Sequence, residues 1–444
     1  MRVATSGDYA PFSRWPESAP EPEGFSVAVA RAFAEASGRR IEWIRFDWPG
    51  LAADLAAARF DLALSGITIR PDRSVAGRFA LPLVSTGAVA LVSADSTLRG
   101  PTDLDRPAVR IAVHRGGHLE RVARRLFPSA RIEAIASNDR VPDRLADARA
   151  DAVVTDGLEA PHWRSRLAPT RLIGPFTRDR KAPWLPADRA ELARELDAWL
   201  VEAERSGTLG AMRRRHGLPD VATALPLPAL LAKLDERLSL MPDVARAKRT
   251  LGRAIEDPAQ EERVHRAARR AAESAARDHG VLPPDAKALW RFVETQLRAA
   301  RFVQTQLAAL PGTEAFPRDA SASARSADDA RALLETRLRP AIAHLSERCI
   351  WLAVAAMAEA ERGSGSGEAR PSLRSADVQA ALADHGLPAP LVEEIRLALE
   401  ALIHGRGGAG NREPEARSIK PRRESTAAPA SRAGPARRAK APSA

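Results

Sequence analysis

Two acids stand three residues apart in the stretch "DAVVTDGLEA": Asp156 and Glu159, placed where an apolar run ends in Thr155, Asp156 and Gly157. Such a pair can grip a cationic ligand group, supply a proton, or simply open a helix, whose first turn favours carboxylates. A second set of polar residues breaks an apolar pattern. In "ALWRFVETQLRAARFVQTQL" the stripe Leu289, Val293, Gln296, Ala300, Gln304 and Leu307 recurs at helical spacing, so two glutamines share an apolar face. Upstream, Arg237 and Lys248 are 11 residues apart, about three helical turns. They share a face if Pro242 resumes one helix instead of redirecting it. Buried cations and amides within one bundle imply an anionic ligand.

The elements that position these residues divide the chain. From residue 1 to about 216, short apolar runs alternate with amphipathic segments in the rhythm of an α/β domain. The strand candidates are "RVAT", "IEWIRF", "FDLALSG", "VRIAV", "RIEAI" and "DAVV", and helical patterns include "FSVAVARAFAEASG" and "LERVARRLF". Ligand sites in such sheets form at the carboxyl ends of strands beside helix N-termini, and Glu159 falls at such an end. The Pro-rich joint "LPDVATALPLPAL" leads into an Ala, Leu, Arg and Glu-rich part with helical periodicity and no convincing strand. A Gly/Ser segment, "RGSGSGEARPS", precedes one last helix, and no internal repeat is present. The expected organisation is an α/β domain over 1–218, a linker over 219–228, an all-α domain over 229–404 and a basic tail over 405–444.

Composition narrows the class. With 45% hydrophobic and 28% charged residues, the 444-residue chain reads as a globular protein of several domains. Its longest apolar run, "FALPLVSTGAVALVSA", is interrupted by Pro82, so no membrane helix and no membrane partner are expected. The net charge of +11 is concentrated in the tail, where ten Arg/Lys oppose three Glu from Gly405 onward. A tail of Gly, Pro, Ser, Ala and Arg reads as disordered, and with the body close to neutral no nucleic-acid partner is expected. Cys349 is the only cysteine, which excludes an intrachain disulfide and a cysteine-cluster metal site.

The first part resembles the type 2 periplasmic solute-binding proteins, two α/β lobes that close on a ligand, most clearly in "ARFDLALSGITIRPDR". The resemblance implies that Ser65, Gly66 and Thr68 present backbone and hydroxyl groups to the ligand and that Arg73 grips its carboxylate. It places lobe 1 at about 1–91 and 186–218, and lobe 2 at about 92–185. In the second lobe "HRGGHLE" sets Gly116, Gly117 and His118 before a helix whose amides suit an anion. Within that superfamily "VATSGDYAPFS", "WPGLAADLAAARFDLALSGI", "ADAVVTDGLEA" and "KAPWLP" resemble, in order, the cyclohexadienyl dehydratases, which act on prephenate or arogenate. Receptors of this fold keep an acid like Asp156 for a ligand ammonium, whereas one like Glu159 is the dehydratase's addition. That reaction expels a ring hydroxyl as water and a carboxylate as carbon dioxide, so it needs an acid held neutral near pH 7. Trp48 and Phe12 are expected to help build the apolar surroundings. Two positions depart from the pattern: Ala88 stands in place of a lysine, and His118 in place of a threonine.

The second part resembles the secreted, gamma-class chorismate mutases of the all-helical type, through "DERLSLMPDVARAK", "IEDPAQEERV", "VETQLRAARFVQ" and "RLRPAIAHL". Their rearrangement of chorismate to prephenate is pericyclic and needs no cofactor, metal or nucleophile, only a held conformer and charge stabilisation on the breaking ether oxygen. By this resemblance Arg237 and Arg339 clamp the carboxylates, Lys248 and Gln304 donate to the ether oxygen, and Glu261 receives the ring hydroxyl. Gln260 stands where many members carry a carboxylate-binding arginine.

One domain makes the other's substrate, so a bifunctional mutase–dehydratase of phenylalanine biosynthesis is expected, with a mutase fused to a non-catalytic solute-binding sensor as the alternative. The partners are small molecules, and the oligomeric state is open, a dimer included. The chain opens without a signal peptide, inside its first strand. A periplasmic location therefore calls for an export signal upstream, and a cytoplasmic one does not.

Overall fold

The computed structural model describes residues 1–308, 326–363 and 373–405. The basic tail from 406, most of the Gly/Ser segment and the Leu307 side chain lie outside the described residues.

Two five-stranded sheets form the α/β part. The first runs in the order Glu42–Arg45, Arg2–Thr5, Leu62–Ala63, Trp184–Pro186 and Gly77–Phe79. The second runs Arg131–Ile135, Arg110–His114, Ala152–Asp156, Ala88–Ser93 and Thr170–Ile173. Parallel pairing at the centre of each sheet, as in Val3↔Leu62 and Val154↔Val113, directs the strand ends toward one cleft. All six strands expected from the sequence are present. Strands Ala88–Ser93 and Trp184–Pro186 escape period-2 reading because both faces are buried and their apolar runs are continuous.

These two strands also move the lobe boundaries. Ala88–Ser93 pairs in the second sheet and Trp184–Pro186 in the first, so the crossings lie before residue 88 and before residue 184, not at 91/92 and 185/186. The crossings themselves pair antiparallel, Val84–Thr86 against Asp179–Lys181.

The helical part comprises Pro226–Ser239, Met241–Thr250, Pro258–His279, Ala286–Ala308, Ala327–Ala332, a π-helical turn at Leu333–Leu338, Arg339–Gly363, Ser375–Leu382 and Ala389–His404. The first helix begins at Pro226, inside the expected linker, because proline at the first helical position loses no hydrogen bond. The rest of that joint is pinned to the first lobe: Thr223 donates to the Pro82 carbonyl at 2.8 Å and the Ala224 amide to Glu204 at 3.1 Å. Leu240, itself helical in backbone, separates two helices, so Arg237 and Lys248 stand on successive helices with Pro242 in the first turn of the second.

One apolar cluster runs from the first lobe, through Val3, Phe25, Phe33 and Leu200, into the helices at Leu230, Leu234, Phe292, Val378 and Leu399. Each fully buried leucine or phenylalanine contributes about 1.5–3 kcal/mol. The second lobe keeps separate cores, one around Val92, Val113 and Phe127 and one around Val153 and Trp163. Among the described residues one helical stretch, Ala327–Gly363, has the length and apolar composition of a membrane span, and 61% of its apolar window is buried within the molecule, as in a core helix.

Candidate functional site

Strand Ala152–Asp156 ends at the cleft, and the turn after it brings Glu159 back under the same strand. Glu159 is 1% exposed; its Oε1 accepts from Asn138 Nδ2 at 2.6 Å and its Oε2 from Thr155 Oγ1 at 2.6 Å. Burial, then the charge of Asp156, pushes the Glu159 carboxyl well above the usual range, against the pull of Thr155, Asn138 and Lys181. A carboxyl raised in this way resists losing its proton, the property that a general acid requires.

Asp156 is fully buried and saturated with donors. Its Oδ1 accepts the Leu158 and Glu159 amides at 2.8 and 3.1 Å and faces Thr86 Oγ1 at 3.4 Å. Its Oδ2 meets the Tyr9 hydroxyl and, at 3.3 Å, Lys181 Nζ. Lys181 in turn donates to Tyr9 Oη at 2.8 Å and to the Gly66 carbonyl at 3.2 Å, lies 3.4 Å from Thr68 Oγ1, and faces the Tyr9 and Phe12 rings at 4.8 and 5.4 Å.

Tyr9, Lys181, Asn138, Thr155 and Asp179 are the residues that sequence reasoning missed. Tyr9 is the chain's single tyrosine and Lys181 opens "KAPWLP", so both sat within stretches already singled out. Lys181 brings a cation to Asp156, which is paired in register with Ala88, the position that lacks one.

The first lobe supplies Arg73, 5% exposed, which donates to the Thr68 carbonyl at 3.1 Å and lies 5.8 Å from the Trp48 ring centroid. Burial and the nearby Arg70 and Arg121 charges depress the Arg73 guanidinium, while against its own burial those cations hold Asp72 at about 2. Trp48 donates to Asp8 at 3.1 Å and meets Tyr9 edge-on. Gly66 adopts φ +65°, and a Cβ there meets Phe12 at 2.7 Å, so only glycine allows the ring so close.

Three expectations change. Ser65 is fully buried and its hydroxyl is engaged by Ser13 at 2.6 Å and Ser6 at 2.8 Å, so it braces the site from beneath. The Gly116 amide donates to Glu120 at 2.7 Å; Gly117 is buried at the start of helix His118–Leu126. Burial drives the His118 imidazole toward its neutral form although Nε2 lies 3.0 Å from Asp179 Oδ1, so it does not replace a permanent cation.

In the helical part, Lys248, Glu261 and Arg339 gather near Asp257. Lys248 Nζ donates to the Ile255 carbonyl at 2.5 Å, and burial lowers its pKa while Asp257 opposes that shift. Arg339 Nη2 lies 3.5 Å from Asp257, and Glu261 pairs with Arg301 at 2.8 Å. Arg237 sits deeper, donating to Ser346 Oγ at 3.1 Å and the Gln296 carbonyl at 3.4 Å. Gln304 is 5% exposed; its amide donates to the Ala300 carbonyl at 3.1 Å, while Oε1 is buried without a hydrogen-bond partner among the described residues. Gln260 accepts from Arg263 at 2.7 Å and faces along its own helix.

The family model described as bacterial extracellular solute-binding proteins, family 3, matches residues 1–219, and that of chorismate mutase type II matches 228–300. Cyclohexadienyl dehydratase of Pseudomonas aeruginosa is 36% identical over 224 residues, 49% of this chain and 82% of that protein. The chain belongs to the family 3 solute-binding proteins. In it, a family 3 solute-binding domain is joined to a chorismate mutase type II domain. A probable amino-acid ABC transporter-binding protein of Haemophilus influenzae is 28% identical over 41% of this chain and 70% of its own length. Among solved structures, the ancestral amino acid-binding protein AncCDT-1, described as a precursor of cyclohexadienyl dehydratase, matches at TM-score 0.46 and 29% identity, covering 49% of this chain and 94% of its own.

Proposed function

We propose that the chain is a bifunctional enzyme of phenylalanine biosynthesis, a chorismate mutase in its helical half and a prephenate or arogenate dehydratase in its α/β half. The observation that carries the second activity is Glu159, buried, held by Asn138 and Thr155, its carboxyl pushed upward by burial and by Asp156. In this reading Arg73 holds the substrate's side-chain carboxylate and Glu159 faces the ring hydroxyl. Proton transfer from Glu159 lets the hydroxyl depart as water. The ring carboxylate leaves as carbon dioxide, and the electron pair of its carbon–carbon bond completes the aromatic ring. Lys181 and Tyr9 fix Asp156, so its negative charge helps keep Glu159 protonated.

For the first activity Arg237 and Arg339 take the carboxylates, Lys248 and Gln304 the ether oxygen, and Glu261 the ring hydroxyl. The Arg339–Asp257 and Glu261–Arg301 pairs, both part-exposed, open to admit the substrate. Family 3 membership supports a periplasmic workplace.

Purified protein given chorismate is expected to consume it and accumulate phenylpyruvate. Prephenate that builds up and persists identifies the α/β half as a solute-binding device without the second activity.

A further inference from the structure

The return strand Asp179–Lys181 stands between the cleft and the helical part. Side chains alternate along a strand, and here the alternation sorts them by destination. Asp179 and Lys181 face the cleft, toward His118 at 3.0 Å and Asp156 at 3.3 Å. Arg178 and Arg180 face the other way. Arg178 donates to the Ala380 carbonyl at 2.7 Å and pairs with Asp384 at 2.8 Å, both in the helical part. Arg180 pairs with Asp235 of helix Pro226–Ser239, whose other oxygen meets His385 Nε2 at 2.7 Å. The Arg180 carbonyl also accepts the Ile69 amide at 2.9 Å, tying the strand to the loop that carries Thr68.

A second contact follows the same logic one residue along. Ser74, next to Arg73, donates to Glu236 at 2.7 Å, and Glu236 is next to Arg237. Glu236 pairs with Lys233 at 2.7 Å, whose Nζ donates to the Phe79 carbonyl of the first sheet at 2.9 Å. Lys233 and Glu236 side chains are 0% and 2% exposed. Buried charges are tolerated only when paired in fixed geometry, so this contact holds both partners in register.

We propose that helix Pro226–Ser239 is a positioning element of the α/β cleft: Asp235 sets the strand that carries Lys181, and Glu236 sets the short helix that carries Arg73. The mutase half thereby completes the second site without touching its substrate. This rests on the dehydratase reading of that cleft.

The test uses the full chain with prephenate and chorismate supplied separately. Asp235→Ala is expected to lower kcat/KM for prephenate about tenfold while chorismate loss stays within about twofold; the retained mutase turnover reports a folded chain. Arg180→Lys, which keeps the charge, is expected to recover most of the loss that Arg180→Ala causes. Loosening Lys181 also removes a charge that favours ionised Glu159, so the alkaline limb of the Asp235→Ala pH profile is expected to move upward. Asp235→Ala with unchanged kcat/KM and pH limb overturns the proposal. A wild-type chain that does not turn prephenate over defeats the dehydratase reading instead, and the proposal is then decided by calorimetric prephenate binding: weaker in Asp235→Ala sustains it, and equal or absent binding in both chains overturns it.

Discussion

Asp156 Oδ1 accepts the backbone N–H of Glu159 at 3.1 Å, so the residue that charges the site also fixes the turn that aims the acid. The two acids of one short turn are therefore not equivalent. One is held in place by Lys181 and Tyr9, and the other is driven toward neutrality by burial beside it.

Glu159→Gln keeps the shape and one acceptor but removes the transferable proton. Phenylpyruvate formation from prephenate is expected to fall by about 10²–10⁴-fold, the usual worth of a general acid. Chorismate loss in the same preparation is expected to be unchanged.

The pH dependence follows from the direction of the shift. An acid must be protonated to act, so dehydration holds below the folded pKa of Glu159 and declines above it, with a limb well above the ordinary carboxylate value of 4.5. Stability carries the same sign: the contribution of Glu159 is complete below the unfolded value and is lost as pH rises through the folded one. The Tm of Glu159→Gln relative to wild type is expected to be higher at about pH 9 than at about pH 5.

Lys181→Met leaves Asp156 buried without its cation. Both side chains are at most 5% exposed, and breaking such a pair from one side costs about 3–5 kcal/mol. Urea unfolding is expected to show that loss with the slope unchanged.

Lys248→Ala is expected to reduce chorismate turnover by at least about 10²-fold, the scale for losing a donor to developing charge. Dehydration of added prephenate by the same variant is expected to match wild type, measured as phenylpyruvate.

Much of this was legible in the sequence, for a physical reason. Asp156 and Glu159 lie within one turn, and Thr68 and Arg73 lie within one loop and helix start, so local spacing carries their geometry. Tyr9 and Lys181 reach Asp156 only through the closure of two sheets, and nothing local to residue 9 or 181 encodes that meeting. Ser65 misled because a hydroxyl near a ligand loop looks available until Ser6 and Ser13, far off in sequence, are found bonded to it. In the helical part a helix resumes at Met241 after Leu240, so the 11-residue spacing of Arg237 and Lys248 runs across two helices and does not by itself fix their meeting.

The shared apolar cluster of the first lobe and the helices relocates the molecule's mechanical joint. The second lobe joins that merged body through the paired crossings Val84–Thr86 and Asp179–Lys181 and, among the described residues, adds no buried side chain to its apolar cluster. The boundary between the α/β and helical halves is therefore packed as a single core, whereas the two lobes of the solute-binding half keep cores of their own.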